Sequence, residues 1–318
     1  MCPLILRRMP DANAPSTPTS PPQSKLKIFL RRLTSTLILW TIILAGLFWS
    51  GETISAYLFG AIITLLAVLG MMEFYALVEK DGLVSFKICG IVGGVLLMLG
   101  TFAHLQGWLG ISGQPARVND FEMDFFILFV LGLCIRQFLS RSNTRGILAI
   151  STTLFGLMYV PWLLNFMQKI NFFPGIGDNG KYYVLYYIVV TKFSDSGAYA
   201  VGSLIGKHKM IPRISPGKTW EGFFGAILVS TGCSLLFMHF FAAKLYGMNW
   251  YHAIVLGVAL SVTAVIGDLI ESLFKREAGV KDSGNFFPGI GGILDLLDSL
   301  LFNAPIMYLY LRHVLTHP

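Results

Sequence analysis

The chain has 318 residues, 54% of them apolar and 13% charged, with a formal net charge of +7. Ordinary soluble domains carry about 25% charged residues, so this balance excludes a soluble globular protein and points to a polytopic membrane protein. It also turns the basic excess away from nucleic acid, because Lys and Arg gather in a few loops, as they do on the cytoplasmic side of a bilayer.

In chain order, residues 1–30 read as a disordered cytoplasmic tail. The stretch "MPDANAPSTPTSPPQ" is rich in Pro, Ser and Thr and cannot bury enough apolar surface to fold. No apolar segment with a small-residue cleavage site follows it, so it does not read as a secretory signal. Apolar runs of about 20 residues, enough to cross roughly 30 Å of hydrocarbon, then predict nine transmembrane helices: 33–50, 54–77, 86–105, 124–140, 147–167, 182–205, 223–246, 252–271 and 294–314. Four basic clusters set the orientation. They are Arg7 to Arg32 before the first span, Arg136, Arg141 and Arg145, then Lys207, Lys209, Arg213 and Lys218, and finally Lys275, Arg276 and Lys281. With nine spans and the N-terminus inside, all four lie on the cytoplasmic face and Arg117 alone lies outside, although Arg312 and His313 pull weakly against an external C-terminus. Cys2, Cys89, Cys134 and Cys233 have neither metal nor disulfide spacing.

The spans of residues 31–170 are plain apart from Glu73. In residues 171–318 polar groups enter the membrane and the loops turn basic and glycine-rich, so the working half is expected there. Asp195 lies within the sixth predicted span, where a charge is costly and marks a functional candidate; the plainer alternative is that it only pairs with Lys192. Ala198 and Gly202, small and four residues apart, let a neighbouring helix approach closely. The next loop, "GKHKMIPRISPGKTWEG", is basic, and its "SPGKTWEG" reads as a turn followed by a helix start. Its Gly-Lys-Thr lacks Walker spacing and a preceding strand, which excludes a P-loop. An anionic membrane surface would explain its cations but not Ser215, Thr219 and Glu221 among them.

Asp268, Glu271, Ser272 and Lys275 fall on one helix face. Such an acidic pair can ligate a hard cation through oxygen, or Glu271 and Lys275 can form an ordinary helix-end salt bridge. In "PGIGGILDLLDS", glycines permit a sharp turn and close approach of a ligand to the main chain. The helix that follows offers free amides to phosphate, and Asp295 and Asp298, three apart, face the same way.

Together, Ser272-Leu-Phe-Lys275-Arg276, Lys281-Asp282 and Pro288-Gly-Ile-Gly-Gly-Ile-Leu-Asp295-Leu-Leu-Asp298 resemble the signature of the phosphatidate cytidylyltransferase (CDP-diacylglycerol synthase) family. "SDSGAYAVGSLIGKHK" and "ISPGKTWEG" resemble the same family, and the likeness is strongest over residues 180–305. It implies an all-α membrane fold and an enzyme that joins CTP to phosphatidate with Mg²⁺, releasing pyrophosphate. The family's metal-binding aspartates align with Asp268 and Asp295. Asp298 and Glu271 are expected beside them at the metal, and Lys275 and Arg276 complete the catalytic set. Ser215, Lys218, Thr219, Lys281, Asp282, Gly291, Gly292 and Asp195 are expected to bind substrate. Two positions depart from the family pattern: Ile290 stands where His is usual and Leu296 where Arg is usual. A CTP-dependent enzyme with another lipid acceptor and a catalytically silent relative are the alternatives. A bacterial inner membrane, an active site at its cytoplasmic face and a homodimer complete the expectation.

Overall fold

The computed structural model describes residues 25–49, 51–108, 115–140, 145–176, 179–284 and 291–316. The tail at 1–24 and the segment Pro288-Gly-Ile290 lie outside them. The fold is all-α. Its helices are α1 (Lys25–Phe48), α2 (Glu52–Lys80), α3 (Lys87–Leu105), α4 (Pro115–Leu139), α5 (Gly146–Leu157), α6 (Leu163–Asn171), α7 (Gly180–Ile205), α8 (Trp220–Phe241), α9 (Trp250–Glu277) and α10 (Ile293–Tyr310). Among the described residues six stretches are long and apolar enough to cross a membrane by length and composition: Thr53–Lys80, Lys87–Leu105, Gly146–Asn171, Trp220–Lys244, Trp250–Glu277 and Ile293–Leu315. α7 is not among them, because Lys192, Asp195 and its serines and tyrosines dilute the apolar run.

α5 and α6 form one bent rod, joined by a wide π turn, Met158–Trp162, that contains Pro161. Proline has no amide to donate and its ring crowds the preceding turn, so the helix widens there. The outward faces carry Phe138, Leu204 and Leu228, all exposed, as suits helices whose surroundings are as apolar as their core.

Hydrogen bonds sort the helix ends onto two faces. On one face, Phe86 at the start of α3 donates to Thr153 Oγ1 of α5, and the end of α2 reaches the start of α10. On the other, His252 near the start of α9 meets the Tyr310 hydroxyl at 2.8 Å. A buried pair, Lys169–Glu122 at 2.6 Å, also lies toward this second face and is supported by Asn165 and Asn119.

α10 is the central helix, packed against α9, α6, α2 and α7. α7 and α8 form the tightest seam, made of small residues as Ala198 and Gly202 lead one to expect. A Cβ added to Gly222 would lie 3.3 Å from Gly202 Cα and 2.8 Å from the Ala198 carbonyl. Between α7 and α8 the chain forms a short antiparallel hairpin, β1 (Lys209–Ile211) with β2 (Ser215–Thr219). The turn expected in SPGKTWEG lies earlier, at 212–214, where Ile214 N donates to the Ile211 carbonyl at 3.1 Å. Ser215–Thr219 is strand, too short for alternation to reveal, and a strand does precede Gly-Lys-Thr, so only the missing Walker spacing excludes a P-loop. β2 runs directly into α8, where Thr219 Oγ1 caps the helix by accepting from Gly222 N at 3.1 Å.

Candidate active site

The hairpin, α7, α9 and α10 enclose a cavity of about 740 Å³ on the first face. α9 and α10 come together because Gly267 has no side chain: a Cβ there would lie 2.7 Å from the Asp298 carbonyl oxygen. Asp268 is thereby set beside Asp298. One carboxylate oxygen from each of Asp268, Glu271 and Asp298 lies within 4.8 Å of the other two. Glu271 is fully buried and its Oε1 has no hydrogen-bond partner among the described residues. Three crowded carboxylates, one with an unsatisfied buried oxygen, repel one another unless a cation joins them. Oxygen-only donors suit a hard divalent ion, so the residues present fit a metal of that class.

Two lysines meet this acidic group. Lys218 Nζ, brought by β2, lies 2.8 Å from Asp268 Oδ2 and donates to the Val265 carbonyl at 3.0 Å. Lys275 Nζ pairs with Glu271 one helical turn back and with Asp295 Oδ1 at 2.6 Å. The other Asp295 oxygen accepts from Gly292 N at 2.8 Å and from Ser283 N and Oγ at 3.0 and 2.9 Å. Asp295 therefore closes the first turn of α10 and anchors Lys275, while the convergent oxygens belong to Asp268, Glu271 and Asp298. Asp195 joins the group from α7: Ser299 Oγ lies 3.4 Å from Asp195 and 3.1 Å from Asp298. Lys192 is 3.4 Å from Asp195, so the ion pair is present and the cavity contact with it.

A model of the cytidylyltransferase family matches residues 30–314. The chain belongs to the cytidylyltransferase family. It is similar to the phosphatidate cytidylyltransferase of Haemophilus influenzae, 31% identical over 299 residues, covering 88% of this chain and 98% of that protein. The enzyme of the same name from Staphylococcus epidermidis is 32% identical over 260 residues, covering 78% of this chain and 97% of its own length. That of Staphylococcus haemolyticus is 31% identical over 283 residues, covering 89% and 98%.

In this cytidylyltransferase the cavity gathers most of the residues singled out in the sequence. Asp195, Ser215, Lys218, Thr219, Asp268, Lys275, Asp282, Asp295 and Asp298 all line it. Glu271, buried behind the wall, does not, nor do Arg276, Lys281, Gly291 and Gly292. Arg276 donates from Nε to the Ile214 carbonyl at 3.1 Å, which pins the hairpin turn to the end of α9. Lys281 is exposed. Gly291, at φ 122°, and Gly292 shape the entry into α10.

Sequence reasoning noted Glu73 only as a polar exception. In the structure its carboxylate accepts from Ile293 N at 3.0 Å, Leu294 N at 2.8 Å and Ser283 Oγ at 3.1 Å. It satisfies the opening amides of α10 from α2, about 220 residues away. A side chain at Gly284 or Gly292 would collide with it. The one available signal was a lone carboxylate in an otherwise plain span.

Proposed function

We propose that this chain transfers the cytidylyl group of CTP to phosphatidate, giving CDP-diacylglycerol and pyrophosphate, with Mg²⁺ as the metal. What carries the proposal is the cavity wall where Asp268 and Asp298, with the buried Glu271 converging on them from behind, meet Lys218 and Lys275, built from the segments that resemble the family signature. The names of the similar proteins supply the substrates.

Phosphatidate brings its own nucleophile. Its phosphomonoester has a second pKa near about 6 and is largely dianionic at pH 7, so proton removal is not the difficulty. Among the described residues no histidine lines the cavity, in keeping with a reaction that needs no strong general base. An oxygen of that phosphate bonds to the α-phosphorus of CTP, the bond from the α-phosphorus to the bridging oxygen breaks, and its electron pair leaves with pyrophosphate. The obstacle is bringing two polyanions together, which positioned positive charge overcomes. Lys218 from β2 and Lys275 from α9 supply such charge. Asp268, Glu271 and Asp298 would hold the metal, which neutralises phosphate charge and orients the reacting oxygens. Asp295 holds Lys275 in place, and Ser215 offers a hydroxyl from the hairpin. Arg276 fixes that hairpin over the site.

Nine membrane crossings with the N-terminus and the cavity on the cytoplasmic side of a bacterial inner membrane belong to the same proposal. Its support is that the basic clusters around Arg145, Lys207–Lys218 and Lys275–Lys281 share the cavity's face. The test is purified protein incubated with phosphatidate, Mg²⁺ and labelled CTP. CDP-diacylglycerol and pyrophosphate should form in equal amounts, and EDTA should stop the reaction until Mg²⁺ is restored. No product under conditions in which the Haemophilus influenzae relative is active would overturn the assignment, and product with a different lipid alone would change the acceptor.

A further inference from the structure

Beside the polar cavity lies a second hollow, an apolar cleft of about 360 Å³ between α1, α2, α7 and α10, walled by Ile43, Ile62, Leu66, Phe193 and Leu300. The two hollows share two residues, Lys192 and Asp195. Among the described residues Lys192 is the only cation on the cleft wall. Its ammonium donates to the Leu296 carbonyl at 3.0 Å and, at a long 3.4 Å, to Asp195. An ammonium has three donors, and these two partners among the described residues leave one for a ligand.

We propose that phosphatidate binds across this seam, with its phosphate on Lys192 and one acyl chain in the cleft. The proposal rests on phosphatidate being the acceptor, as inferred above, and adds where the lipid lies. A polar hollow and an apolar one that meet at Lys192 and its partner Asp195 match a molecule whose phosphate is tied to hydrocarbon, the ammonium taking the phosphate and the long 3.4 Å contact leaving Asp195 free to turn to the polar side. The same placement divides the polar cavity. The α7 wall serves the lipid, and the hairpin and α9 wall, with Lys218, Lys275 and the carboxylates, serves the nucleotide.

Leu296 fits this division. It lies on the cleft wall, where the family pattern usually has Arg, and its carbonyl holds the Lys192 ammonium. In this chain the positive charge near position 296 therefore comes from the neighbouring helix, and 296 itself is left to line hydrocarbon.

The experiment compares purified full-length variants. Lys192→Met should raise KM for phosphatidate about tenfold or more, the loss of one charge-assisted hydrogen bond, and leave KM for CTP within about twofold. Lys192→Arg should stay near wild type. Adding Leu296→Arg to Lys192→Met should recover much of the loss. Ile62→Trp, which fills the cleft, should raise KM for dioleoyl phosphatidate and not for dihexanoyl phosphatidate. A change confined to CTP or to kcat in Lys192→Met, or equal responses of both lipids to Ile62→Trp, would overturn the proposal.

A binding arm keeps it separate from the assigned reaction. Without CTP, micelles containing phosphatidate should raise the melting temperature of wild type more than those containing phosphatidylcholine, and the difference should vanish in Lys192→Met. A wild type that makes no CDP-diacylglycerol but shows this difference loses the reaction and keeps the lipid site. A wild type that reacts but shows no such difference loses the site and keeps the reaction.

Discussion

Glu271 is the residue whose chemistry is most exposed by its surroundings. It is sealed from solvent, carries an oxygen without a hydrogen-bond donor, and stands beside two other carboxylates. Glu271→Gln keeps the shape and removes the charge. Activity should fall by about 100-fold or more, the upper end of what even partners of metal ligands cost when removed, and the Mg²⁺ concentration for half-maximal rate should rise. An unchanged Mg²⁺ dependence would remove Glu271 from the metal. Glu73 acts differently, through the backbone of α10. Glu73→Ala strands the Ile293 and Leu294 amides, while Ser283 Oγ keeps Asp295. The loss should cost about 1–3 kcal/mol of stability, read as a lower melting temperature in detergent. Glu73→Gln retains one acceptor and should recover part of it. Equal stability of Glu73→Ala and wild type would show that water replaces the carboxylate.

At the level of elements, much was legible from hydropathy. The span expected at 86–105 is helix α3, Lys87–Leu105, and that expected at 252–271 lies within α9, Trp250–Glu277. Long apolar runs declare themselves because backbone groups in hydrocarbon must be satisfied within the helix. The one-face pattern of Asp268, Glu271 and Lys275 was legible for the same reason, since helical spacing is local. The strands of the hairpin, the π turn at Met158–Trp162 and the reach of Glu73 were not. They depend on short strands without alternation, on a proline accommodated inside a helix, and on a contact between distant parts of the chain. The preference for Glu271 over Asp295 in the acidic group was likewise hidden, because it is decided by which oxygens Lys275 and the start of α10 consume. The α7–α8 seam gives an element-scale prediction. A Cβ at Gly225 would lie 2.4 Å from Val201 Cβ, whereas nothing lies within 4 Å of one at Gly232. Gly225→Leu should destabilise by about 1–3 kcal/mol and, by shifting β2 with α8, raise KM for CTP. Gly232→Leu on the same helix should do neither. Equal behaviour of the two would mean that the seam is not what positions the hairpin.

For the whole molecule, the two faces make orientation testable. Residues from Phe86, Thr153 and the hairpin lie on the cavity's face, and the His252–Tyr310 contact lies on the other. In intact cells of a variant whose native cysteines are replaced, a membrane-impermeant maleimide should label Gln106→Cys from outside and leave Lys207→Cys unlabelled until the membrane is opened. The reverse pattern would invert the orientation and place the cavity on the outer side.

The bond from Glu73 to the opening of α10 also limits how this protein can be divided. A fragment beginning after Asn171 would keep Asp268, Glu271, Lys275, Asp295 and Asp298, and still lack the acceptor for Ile293 and Leu294. The half that carries most of the cavity is thus not a portable module. Grafted behind foreign membrane helices it should stay silent, and co-expression with residues 1–171 should revive it only when that partner fragment carries Glu73.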